Sequence, residues 1–175
     1  MASRGAELHA AVPPERWCVT RQDLLDFREE GLAAVRAARV RPSERDPFDP
    51  GDELYGPSIY TVVEQLIKQS SAAAGDPSWA LGRHPESLLC DLFVTHGWAE
   101  GVYEFLDKVL ASWPRGARHA YCCMLANPQT LDVGSLVSSP RSSPFARALR
   151  SAKMVLVVPN RRGSIYSRLW CVYEW

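Results

Sequence analysis

Apolar positions along this chain switch between helical spacing and short, nearly unbroken runs. After Thr20, residues Leu24, Leu25, Leu32 and Val35 form a thin apolar stripe. Thr20 and Asp23 have capping-box spacing, which predicts a helix from there through about Val40, weakened by Gly31. Ile59, Val62, Val63, Leu66 and Ile67 fall at i, i+3, i+4, i+7 and i+8, a clean amphipathic face on a helix starting at Pro57 or Ser58. Between the two lies RPSERDPFDPGDELYGP, residues 41–57, whose prolines and charges predict a linker or irregular loop.

From Leu88 onward the alternation strengthens. LLCDLFVTH reads as a buried strand, with its ordered part near residues 89–95. Val102, Phe105, Leu106, Val109, Leu110 and Trp113 then repeat at helical spacing until Pro114. HAYCCMLA predicts a second strand over about 119–125. A loop rich in Ser, Pro, Asn and Asp covers about 127–143, and Ser143–Pro144 opens a short helix that turns Phe145, Ala148 and Leu149 inward. KMVLVV predicts a third strand near 153–158, and a terminal helix follows RRGS.

Strands alternating with helices predict a parallel α/β fold. Nearly continuous apolar strands imply burial on both faces. Right-handed crossovers leave few topologies, and the order 2-1-3, with the first strand central, is the expected one. Ligands in such a sheet sit beyond the carboxyl ends of the strands where the winding reverses. That places Thr95, His96, Gly97 and Trp98 on one side of a crevice and Pro159 to Arg162 on the other. The expected organisation is a helical and irregular segment at 1–56, an amphipathic helix packing on the main domain at 57–87, and an α/β domain at 88–175.

Charge narrows the functional classes. Twenty basic and 20 acidic side chains give a formal net charge of +0, without the electrostatic footprint of a dedicated nucleic-acid binder. No stretch approaches the roughly 18 consecutive apolar residues of a membrane span. The opening MASRGAELHAAVPPERW has no apolar core of a secretory signal. A cytoplasmic protein is expected. The five cysteines, Cys18, Cys90, Cys122, Cys123 and Cys171, form no CxxC pair. On a strand, adjacent Cys122 and Cys123 would face opposite sides, so no metal site is expected. A nucleophilic pair of His96 with Cys90 or Cys122 has no local signature to support it.

Three stretches carry a family resemblance. DLFVTHGW resembles the opening strand and loop of Toll/interleukin-1 receptor/resistance (TIR) domains. SPFARALRSAKMVLVVPN is similar to the short helix that leads through a Ser/Lys step into their third strand, and SRLWCVYE to their Ser-x-x-Trp-Cys-x-x-Glu element. The likeness covers residues 88–175. His96 and Gly97 stand where the family has a Tyr and a polar residue. Asp132 can match the acidic residue of the loop after strand two, while the Arg-Asp…Pro-Gly pattern of that loop is missing. Two more strand–helix units complete the family's domain, so the resemblance implies a flavodoxin-like, three-layer domain truncated at its C-terminal end. KMVLVV would then be an edge strand.

The resemblance implies signalling through association, by self-association or with other TIR-like domains, with no cofactor required. The alternative it implies is hydrolysis of NAD at the nicotinamide–ribose bond. Glu174 would then stabilise the cationic transition state and Trp170 would wall the pocket. A second alternative is a nucleotide-sensing module binding in the same crevice without turnover. Contacts to the nucleotide would come from Thr95, His96, Gly97, Trp98, Arg161, Arg162 and Trp170. Each residue also has a plainer reading: His96 as a hydrogen-bonded structural histidine, Arg161 and Arg162 as a solvated turn, and Glu174 as a solvated residue of a frayed helix end.

Overall fold

The computed structural model describes residues 3–136, 138–139, 141–159 and 161. Among these, four strands form one sheet in the order β1-β3-β2-β4. The chain begins with α1 (Arg4–Ala11), a single 3-10 turn (Pro14–Arg16), β1 (Val19–Thr20) and α2 (Arg21–Arg36). A long helix follows as α3 (Ile59–Val62), a π-helical stretch (Val63–Ile67) and α4 (Lys68–Ala73), then α5 (Trp79–Arg83). The remainder is β2 (Leu92–Thr95), α6 (Val102–Ala111), β3 (His119–Cys122), α7 (Cys123–Ala126), α8 (Val133–Leu136), α9 (Pro144–Ser151) and β4 (Met154–Val157).

The fold is mixed α/β. β2 runs parallel to β3 on one side, with Phe93 opposite Tyr121, and parallel to β4 on the other, with Phe93 opposite Val155. The sheet is not purely parallel, however. β1 adds to the outer edge of β3 in the antiparallel sense, with Val19 opposite Ala120. Two residues are too few for a period-two pattern, so the sequence gives no sign of β1.

Alternation on the strands divides the core. Leu92 and Val94 of β2, with Ala120 and Cys122 of β3, face a cluster that includes Leu24, Phe27, Ile59, Leu66, Phe105 and Val109. Phe93 and Tyr121 face the other way, against Trp17, Cys18, Leu81, Cys90 and Ala148. Both faces of β2 and β3 are therefore packed, which explains their unbroken apolar runs. Phe93 and Tyr121 lie stacked, with centroids 5.6 Å apart. Burying such a ring stabilises by roughly 1.5–3 kcal/mol.

Local signals set the helix ends. The Thr20 hydroxyl accepts from Asp23 N, and the Asp23 carboxylate accepts from Thr20 N in return. α2 stops at Arg36, short of the expected Val40, because Ala38 takes a left-handed conformation at φ 53°. Arg39 N donates to Ala34 O and Ala38 N to Val35 O, the paired bonds of a Schellman motif. The first expected strand is also shorter than its apolar run. Residues 88–90 instead meet the N-terminal segment, where Leu88 N donates to Arg16 O and Cys90 N to Glu15 O.

The segment expected as a loop, residues 41–57, locks the connection after β2. Tyr103 N donates to Tyr55 O, Val102 N to Pro57 O, Ile59 N to Glu100 O and Tyr60 N to Trp98 O. Gly101 permits this approach. A Cβ there would lie 2.2 Å from Tyr55 O. The turn at 96–101 is thus clamped from outside as well as anchored by β2.

Candidate functional site

The carboxyl end of β2 delivers Thr95, His96, Gly97 and Trp98 to one place, and Val158 N donates to Thr95 O to bring the end of β4 alongside. His96 is only 3% exposed. It packs against Phe105 of α6, with ring centroids 4.3 Å apart. Its Nδ1 lies 3.4 Å from Glu100 Oε1 and 3.4 Å from Gly97 O. On the other side of the ring, Nε2 lies 3.4 Å from Cys123 Sγ and 4.0 Å from Cys122 Sγ. Trp98 Nε1 donates to Cys123 Sγ at 3.2 Å, and its ring meets Tyr60 edge-on at 5.4 Å.

This geometry depends on a correction to the second strand. β3 ends at Cys122, and Cys123 begins the helical turn α7, so the two thiols do not project to opposite faces of one strand. Asn127 N donates to Cys123 O, and the Gln129 amide donates to Cys123 O and Met124 O, holding the turn. The change of direction brings both sulfurs to one imidazole. Neither cysteine is in a disulfide.

Glu100 is 0% exposed. Both its oxygens lack a hydrogen-bond partner among the described residues, the His96 ring being the polar group in ion-pair range. Burial alone would lower the basicity of His96. The charge on Cys123 and the neighbouring Cys122, Cys123 and Glu100 side chains outweigh it, and the imidazole pKa is held well above its ordinary value. Burial pushes the Cys122 thiol up. The cluster therefore favours the protonated imidazole between Glu100 and the two sulfurs.

Other expected contacts are distributed differently. Arg161 Nε pairs with Glu104 Oε1 at 2.8 Å, and Lys108 Nζ shares that oxygen at 3.0 Å. The guanidinium thus contacts α6 while its side chain stays largely exposed. Arg162, Trp170 and Glu174 lie outside the described residues. Among the described residues, no three His, Cys, Asp or Glu side chains form a group suited to a metal ion.

Glu100 and Cys123 were not legible as site residues from the apolar pattern. Glu100 follows His96 by four, within one turn of chain, and that spacing of a histidine and a carboxylate is the signal that could have found it. Cys123 required the strand to end at Cys122, three residues earlier than expected. Asp91, at the opposite end of β2, is also buried. Its carboxylate accepts from Arg118 N at 3.2 Å and faces Arg118, His119 and Lys153.

Comparison with family models, curated proteins and solved structures returned no match. No helix of the described residues is long and apolar enough to cross a membrane.

Proposed function

We propose that the chain is a TIR-like module acting through protein–protein association, with a second copy of itself as the first partner. In this reading its parallel strands follow a flavodoxin-like winding of order 2-1-3, and β4 supplies the contact surface. One observation carries the reading. β4 is entirely apolar, yet Val155 is 53% exposed, on the strand face it shares with Phe93. Among the described residues, no strand pairs with the outer edge of β4. An open apolar edge is a template for another chain.

The buried state of Thr95, His96 and Gly97 also weighs against a nucleotide resting on them. Static light scattering across a concentration series tests the reading. The expected result is a mass that rises above that of one chain and returns to it in Val155→Lys. Release of nicotinamide from NAD that disappears in Glu174→Ala would replace association with hydrolysis.

A further inference from the structure

We propose that Cys123 is an activated thiol, paired as a thiolate with the His96 imidazolium beside the buried Glu100, and that it reacts with small peroxides. The arrangement is a nucleophile, a base and a buried carboxyl group in sequence: Cys123 Sγ to His96 Nε2 at 3.4 Å, and His96 Nδ1 to Glu100 Oε1 at 3.4 Å, with Gly97 O as the hydrogen-bond partner of Nδ1. Cys123, not Cys122, is the reacting sulfur. It is nearer the imidazole, it accepts the Trp98 indole N–H, and it keeps 9% exposure where Cys122 keeps 1%. Cys18 and Cys90 are equally closed, at 1% each.

The limited opening selects the reactant. A peptide or acyl substrate needs a groove beside the sulfur, whereas a peroxide needs only a thiolate and a proton donor. The Cys123 thiolate attacks one peroxide oxygen, the S–O bond forms as the O–O bond breaks, and the sulfur becomes a sulfenic acid. The departing hydroxide or alkoxide takes the proton from His96 Nε2 and leaves as water or alcohol. The sulfur is oxidised and the peroxide is reduced. This chemistry does not depend on whether the chain associates through β4.

The groups facing the imidazole among the described residues are Glu100, Gly97 O, Cys122, Cys123 and the Phe105 ring. A thiolate in such a pair persists in acid, whereas an ordinary thiol, with a pKa of about 8.5, is protonated below neutrality.

The test is hydrogen peroxide treatment of the full chain, with dimedone trapping and peptide mass spectrometry to locate the sulfenic acid. The folded protein should be trapped at Cys123 ahead of Cys18, Cys90 and Cys122. At about pH 6 the folded protein should react at Cys123 roughly ten-fold faster than the urea-unfolded chain, the gain in thiolate being offset in part by its lower nucleophilicity. Glu100→Gln should slow trapping and restore the steep pH dependence of an ordinary thiol. If that variant does not fold, the wild-type profile from about pH 5 to pH 8 decides alone. A Cys123 rate that falls with pH like that of the unfolded chain overturns the proposal, as does the absence of an adduct at Cys123.

Discussion

Replacing Gly101 with alanine isolates the clamp that holds the turn after β2. The backbone at Gly101, φ −68° and ψ 134°, is one that alanine adopts without strain. The cost is therefore steric. The new Cβ would lie 2.2 Å from Tyr55 O and 2.7 Å from Tyr55 C, atoms of a backbone that cannot swing aside like a side chain. An ordinary contact requires a retreat of about 1 Å. Tyr55 O is also the acceptor for Tyr103 N at 3.1 Å, so the retreat strains the bond that joins residues 41–57 to α6. Overpacking of this kind costs about 1–3 kcal/mol, and one lost hydrogen bond adds about 1 kcal/mol. A destabilisation near 3 kcal/mol is expected in urea unfolding. Gly116→Ala is the matched control. At φ +94° its backbone is strained by any side chain, but nothing lies within 4 Å of the added atom. That variant should lose only about 1–2 kcal/mol. If Gly101→Ala proves no less stable than Gly116→Ala, the clamp does not hold the turn as described.

Two further outcomes follow from the same structure. Ala38→Gly should stabilise the protein by roughly 0.5–1 kcal/mol in thermal or urea unfolding, because it relieves a left-handed alanine at a helix end while raising the entropy of the unfolded chain. Burial would raise the Asp91 pKa, but the bond from Arg118 N and the charges of Arg118, His119 and Lys153 hold it below its ordinary value. The stability this carboxylate contributes is present above the unfolded aspartate pKa of about 3.9 and is lost as pH falls through the lower folded value. Asp91→Asn should therefore cost about 1–2 kcal/mol at neutral pH, and the gap to wild type should close in acid.

Much of the fold was legible because burial imposes a period. Ile59, Val62, Val63, Leu66 and Ile67 are all buried, as their spacing implies, and so are Val102, Phe105, Leu106, Val109 and Leu110. The Thr20–Asp23 pair sets the start of α2 through local hydrogen bonds that a sequence displays directly. What the pattern concealed was non-local. β1 exists because Val19 and Thr20 find the edge of β3, and the proline-rich segment is ordered because Tyr55 and Pro57 meet residues 102 and 103. The candidate site divides the same way. His96 and Trp98 stood at the end of an apolar run, where position alone suggested them. Glu100 joined them only when its complete burial beside the imidazole was seen, and Cys123 only when β3 gave way to a helical turn.

The central proposal is association through β4, and its most direct test is the mass of the protein in solution. Light scattering during size exclusion, over rising concentration, should give a mass above one chain. Hydrogen exchange at residues 154–157 should slow in step with that rise. Val155→Lys should hold the mass at one chain without lowering the melting temperature, since this side chain is half exposed in the monomer. A wild-type protein that keeps the mass of a single chain at every concentration, with exchange at these residues unchanged, would contradict the proposal.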